Sequence, residues 1–163
     1  MRRLGLALIF MALGCVGATA AERGSVTGLP LPRYVSLKVS EANVRRGPSL
    51  THRIDWVYKR RAMPLRITAE FGNWRRVEDR DGAGGWVHYA LLSGARTAIV
   101  EQDLLDVLAR PEPGAMVVAR LEAGVIARLS GCDEAWCALS AGGHDGWVPK
   151  SALWGVDARE IFE

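Results

Sequence analysis

The tripeptide Gly-Trp-Val occurs twice, at 85–87 and 146–148, with its glycines 61 residues apart. A repeat of that period points to two small units of one design. Single cores of about 55–65 residues fold alone only marginally, and such units lean on a neighbour or a disulfide. Other segments keep step with the repeat. "NWRRVED" (73–79) precedes the first copy and "AWCALS" (135–140) the second; further back, "AMPLRI" (62–67) matches "GVIARL" (124–129) and "NVRRGPS" (43–49) matches "DVLARPEP" (106–113). The units are set at 33–100 and 101–156. No Gly/Ser linker separates them, since the join reads "GARTAIVEQDLL", and the two are expected to abut.

Within each unit the hydrophobic pattern is that of strands. "YVSLKV", "RIDWVY" and "PLRITAEF" alternate with period two, which argues for half-buried strands. "RRGPS", "FGN", "DRDGAGG" and "AGGHDG" between them are turn signals. Five or six short strands per unit predict an all-β chain of two small, strongly bent barrels. "HYALL" and "KSALW" read as single helical turns before a last strand.

The N-terminal stretch lies outside this pattern. Arg2 and Arg3 precede an apolar run of 13 residues, Leu4–Val16, and small residues stand at Ala18 and Ala20. That is the layout of a secretory signal peptide over 1–20, cut after Ala20, which places the mature chain in the periplasm or outside the cell with no stable membrane span. An uncut anchor is the competing reading, against which the apolar centre is short of the ~20 residues a span needs. Export leaves Cys132 and Cys137 as an even pair in an oxidising compartment, where a disulfide is expected. So small a loop would contribute about 2 kcal/mol. Two cysteines without a nearby histidine pair cannot form a four-ligand zinc site, and neither a metal nor a cofactor is implied.

"NVRRGPS" followed by "GWV" and a helical turn, together with "NWRRVEDRDGAGGWVHYALLSGARTAIV" and "DGWVPKSALWGV", resembles the bacterial SH3-like (SH3b) family, as found in exported tandem SH3b proteins of Gram-negative bacteria. The resemblance covers nearly all of 32–156. It implies two SH3-like barrels, with Gly85, Trp86, Val87, Gly146, Trp147 and Val148 as structural residues: the glycine permits a close turn, and the strand's apolar residue seals the barrel. It also implies a binding role, because modules of this kind attached to cell-wall enzymes leave catalysis to another domain.

Charge separates the two units. Residues 33–96 carry 13 Lys and Arg against 6 Asp and Glu, and 101–163 carry 5 against 11. The whole-chain net of +3 therefore hides opposite poles of +7 and −6. No Gly-x-Ser-x-Gly nucleophile elbow occurs, and the carboxylates Asp79, Asp81, Asp133 and Asp145 stand in turns where local amides can hold them. No convergent catalytic set is present, so the chain is read as a non-enzyme.

Candidate binding residues come from strand alternation. If Val77 points inward, Trp74, Arg76 and Glu78 point outward; if Cys137 and Leu139 point inward, Trp136 points outward. An outward Trp offers apolar area and a polar edge at low entropic cost. Arg45 and Arg46 are candidates for pairing with an anion beside it. Trp56 has no counterpart, Val118 standing in its place in the second unit, and Trp154 is expected to cap a barrel. The leading function is recognition of peptidoglycan, glycan or stem peptide. A periplasmic protein–protein adaptor is the alternative, and docking of the two oppositely charged units on each other is a structural third. Nucleic acid is excluded as a partner by export.

Overall fold

A computed structural model describes residues 22–163. The signal peptide read at 1–20, with its cleavage site and the competing anchor, lies outside the described residues. Among those described, no helix is long and apolar enough to cross a membrane.

The chain is all-β. A short hairpin, β1 (Glu22–Arg23) with β2 (Pro30–Leu31), leads into a seven-stranded sheet of β3 (Arg33–Leu37), β4 (Ala42–Arg45), β5 (Ile54–Tyr58), β6 (Pro64–Phe71), β7 (Trp74–Glu78), β8 (Gly84–His88) and β9 (Leu92–Ser93). A second seven-stranded sheet follows: β10 (Thr97–Val100), β11 (Leu105–Leu108), β12 (Val117–Leu121), β13 (Ile126–Cys132), β14 (Trp136–Ala141), β15 (His144–Pro149) and β16 (Leu153–Trp154). The spatial orders are β5-β4-β8-β7-β6-β3-β9 and β12-β11-β15-β14-β13-β10-β16. Position for position, these are one topology used twice. The single 3₁₀ turns Tyr89–Leu91 and Lys150–Ala152 stand where the helical turns are expected.

Even the irregularities repeat. Register slips fall at Val44/Arg45 and Ile67/Ala69 in the first sheet, and at Val107/Leu108 and Leu129/Gly131 in the second. A bulge bends its strand and sharpens the twist, so paired bulges curl each sheet around its own core. One core gathers Leu37, Val44, Leu65, Ile67, Val77 and Val87, and the other Val100, Val107, Ala127, Leu129, Leu139 and Val148.

The glycines of the repeated tripeptide serve packing rather than a turn. Gly85 lies within β8 and Gly146 within β15. A Cβ on Gly85 would stand 2.7 Å from the Arg45 carbonyl oxygen and 2.8 Å from a Val44 methyl; on Gly146 it would stand 2.7 Å from the Leu108 oxygen and 2.6 Å from Val107. The neighbouring strand therefore presses on a bare backbone in both barrels. Val87 and Val148 are fully buried, while Trp86 and Trp147 are half-buried on the opposite face.

The join differs from the sequence-based placement. Thr97–Val100, assigned there to the first unit, pairs with β13 and β16 in the second sheet. The crossing between barrels is thus the short stretch from Ser93 to Thr97. Trp154 meets the first barrel: its ring packs edge-on against Tyr34 at 5.3 Å between centroids. Arg96 lies over the rings of Phe162, at 4.6 Å, and Tyr34, at 6.0 Å, and pairs with Glu160. Among the described residues one ion pair, Arg96–Glu160, joins the oppositely charged segments, beside aromatic contacts and a hydrogen bond from the Thr97 hydroxyl to the Ala62 carbonyl at 2.8 Å.

The segments flanking the two barrels land on the same position of each. The N-terminal strap 22–31 docks on Glu70 in β6, whose carboxylate accepts from the Val26 and Thr27 amides at 3.0 and 2.8 Å and from the Thr27 hydroxyl at 2.7 Å. Arg33 completes the cage at 2.7 Å. Burial alone would raise the Glu70 pKa; the Thr27 donors, with Arg33 and Val26, outweigh it and hold the group at about 2. At the C-terminus, Phe162 bridges Cys132 through both backbone bonds, at 2.8 and 3.1 Å. Cys132 and Cys137 form the expected disulfide, with Cα atoms 4.1 Å apart.

Candidate functional site

The outer face of the first sheet collects the aromatic and cationic side chains. Along β7 the burial alternates, with Arg75 and Val77 inside and Trp74, Arg76 and Glu78 at least partly outside. Residues paired across neighbouring strands share a face. Arg45 pairs with Trp86, and Trp86 pairs with Arg76, so one row across β4, β8 and β7 reads Arg-Trp-Arg. The next row places Trp74 opposite His88 and Phe71 opposite Trp74.

The aromatic row is held in place by local contacts. Trp74 and His88 meet edge-on with centroids 5.4 Å apart, and His88 continues to Tyr89 at 5.0 Å. The Ala90 amide donates to His88 Nδ1 at 3.3 Å, which fixes the imidazole at the head of the 3₁₀ turn. On the inner side, Arg75 places its guanidinium 5.8 Å from the Tyr89 ring centroid and donates to the Gly72 and Trp74 carbonyls, both at 2.9 Å. Phe71 and Tyr89 remain exposed, at 62% and 51%.

The two arginines of the Arg-Trp-Arg row are held differently. Arg45 is half-buried and uses Nη1 to bond the Leu50 and His52 carbonyls, at 3.0 and 2.7 Å. Arg76 is exposed, forms no ion pair among the described residues, and borders a polar recess of about 320 Å³ with Thr68, Glu78 and Gly84. The nearby Glu78 is already engaged by Arg66 at 2.6 Å. Uncommitted positive charge therefore stands beside the indole of Trp86.

Of the residues singled out from the sequence, Arg45, Trp74 and Arg76 come together here. Arg46 does not: it turns to the exposed Asp55 on β5, at 3.4 Å, beside a closer Arg53 at 2.7 Å. Trp136 holds the matching position on the second barrel, half-buried and opposite Pro149. The surrounding row is not duplicated, because the equivalents of Arg45, Trp86 and Arg76 are Leu108, Trp147 and Ala138. Trp56 sits opposite core residue Val44 yet is 37% exposed, since β5 is an edge strand. Its true counterpart is Ala119, opposite Val107, and not Val118.

Sequence reasoning assigned Trp86 to structure and passed over His88. Both lie in "GGWVH" at period two on the face opposite buried Val87. That alternation is the signal that could have placed them on this surface. Among the described residues no group of His, Cys, Asp and Glu side chains is arranged to hold a metal ion.

The chain matches the bacterial SH3 domain family twice, over residues 38–94 and 101–155. No curated protein matches it. Among solved structures it is similar to NlpC2 from Trichomonas vaginalis, with 11% identity and a TM-score of 0.35 over 76% of this chain and 48% of that one. It is likewise similar to NlpC1 from Trichomonas vaginalis, with 11% identity and a TM-score of 0.36 over 84% of this chain and 50% of that one. The chain thus spans about half the length of these two proteins, and at such scores neither likeness bears on what it does. Two matched segments, each folded into its own copy of one sheet topology, make the chain a tandem member of the bacterial SH3 domain family.

Proposed function

We propose that this protein is a non-catalytic cell-envelope module that binds peptidoglycan through the outer face of its first barrel. The observation that carries the reading is the row Arg45–Trp86–Arg76 with Trp74 in the adjoining row. An indole presents a flat apolar surface on which a sugar ring can stack. A guanidinium beside it pairs with carboxylates in a charge-assisted, often bidentate geometry. Glycan and stem peptide carry both chemistries. The net +7 of residues 33–96 adds a long-range attraction to an anionic polymer. The disulfide and the family are in keeping with a periplasmic or extracellular setting.

Purified sacculi are expected to sediment the protein, and the Trp74→Ala/Trp136→Ala double variant is expected to bind more weakly. Absence of co-sedimentation, or binding unchanged in the double variant, contradicts the reading.

A second reading, as an adaptor for another envelope protein, draws on the edge strand β5. There Ile54 and Trp56, two residues apart on one face, are 41% and 37% exposed at an unpaired sheet edge. A single stoichiometric protein partner, captured by crosslinking and retained after wall digestion, would favour it.

A further inference from the structure

Between the two barrels lies a cleft of about 450 Å³, lined by no residue of the aromatic face. Its size falls within the roughly 300–1,000 Å³ of small-ligand sites. We propose that this inter-barrel cleft is a separate binding site for a short peptide that bears carboxylates and small side chains.

The lining carries three cations, Lys38, Arg61 and Arg128, and no carboxylate. All three are exposed, and none takes part in an ion pair among the described residues. Arg128 stands out because residues 101–163 have a net charge of −6 with only 5 cationic side chains. Positive charge drawn from both barrels and left without an internal partner raises the local concentration of anions.

Sheet register sets hydroxyl groups around those charges. In the second barrel Arg128 pairs with Thr97 on one side and Ser140 on the other. In the first, Ser36 pairs with Ser93. All four hydroxyl residues line the cleft. A carboxylate accepts several hydrogen bonds at once, and Arg128 with the Ser140 hydroxyl beside it can satisfy both of its oxygens, the Thr97 proton being committed to Ala62. Leu37, Ala62 and Ile126 supply apolar wall between the charges, which suits side chains of methyl size rather than a highly charged inorganic anion alone. The Thr97 hydroxyl donates to the Ala62 carbonyl at 2.8 Å and ties the two halves of the cleft together.

The site shares no residue with the aromatic face, so the two can be tested apart. Calorimetric titration of the protein with N-acetyl-Ala-Glu-Ala, against N-acetyl-Ala-Gln-Ala-amide as the uncharged control, reads the cleft directly. The dicarboxylate is expected to bind at least tenfold more tightly than the amide. Arg61→Gln/Arg128→Gln is expected to lower that affinity at least tenfold, with its circular dichroism and unfolding midpoint unchanged. Trp74→Ala/Trp136→Ala, the variant expected to sediment less with sacculi, should leave peptide affinity as it was. Equal affinity for acid and amide, no measurable heat at millimolar peptide, or full affinity in Arg61→Gln/Arg128→Gln each overturn the site, whatever the sacculi show. Should the double variant unfold, amide chemical-shift changes in the wild type decide instead: peptide-induced shifts at Lys38, Arg61 and Arg128 support the site, and their absence overturns it.

Discussion

Glu70 and Arg75 face each other across the β6–β7 hairpin at the register position that Cys132 and Cys137 hold in β13–β14. In the first barrel the pair is ionic, with Arg75 Nε 3.6 Å from the Glu70 carboxylate; in the second it is covalent. The same two positions also receive the segments that flank the barrels, the strap 22–31 on Glu70 and Phe162 on Cys132. One duplicated hairpin has thus acquired two different fastenings, each beside a segment that flanks its barrel.

The cage that Thr27, Val26 and Arg33 build around Glu70 makes the first barrel sensitive to acid. The Glu70 pKa is depressed to about 2 in the folded chain, against about 4.3 for an unperturbed glutamate. A group whose folded pKa is lowered gives stability that is fully present above its unfolded value and is lost as pH falls through the folded one. The side chain is fully shielded from water, so the contribution at neutral pH is on the order of 2–3 kcal/mol. Urea unfolding from pH 7 to pH 2 should show this loss between about pH 4.5 and 2. Glu70→Gln should lower stability at pH 7 by a similar amount and flatten that acid limb.

The covalent fastening should act on the second barrel alone. Calorimetry with and without reductant should show about 2 kcal/mol lost on opening the Cys132–Cys137 bond. Amide exchange should quicken around β13 and β14 and not around β6 and β7. Equal loosening of both hairpins would mean that the barrels do not hold their cores separately.

The close strand approach at the repeated tripeptide predicts matched sensitivity to one added methyl group. At Gly146 a Cβ would lie 2.7 Å from the Leu108 backbone oxygen, and at Gly85 2.7 Å from that of Arg45. Backbone must shift in either case, and overpacking of this kind costs about 1–3 kcal/mol. Gly85→Ala and Gly146→Ala should each lower the urea midpoint by such an amount.

Much of the architecture was legible in the sequence because both of its signals are local. Period-two alternation placed Val77 and Leu139 inside and left open which of Trp86 and Val87, and of Trp147 and Val148, is core; the valines are the buried ones, and Gly-rich turns bounded the strands. The repeat then required one topology twice. What was not legible depends on which strands become neighbours. The row Arg45–Trp86–Arg76 joins residues from three strands, and nothing in the spacing of 45, 76 and 86 announces that they align. The role of Gly85 is hidden for the same reason, since its constraint comes from β4 pressing against β8. The placement of β10 was missed because "TAIV" continues the apolar character of what precedes it, and only its pairing with β13 assigns it. The strap 22–31 has no periodic pattern; the buried carboxylate of Glu70, forty residues on, organises it.

The measurement that bears most directly on wall recognition is a titration with soluble peptidoglycan fragments, followed through the indole Nε1–H signals of the labelled protein. Saturable shifts of the Trp74 and Trp86 signals, with Trp147 unmoved, are the predicted result. Fragments that bind while the Trp74 and Trp86 signals stay still, or that fail to bind at all, would contradict the account.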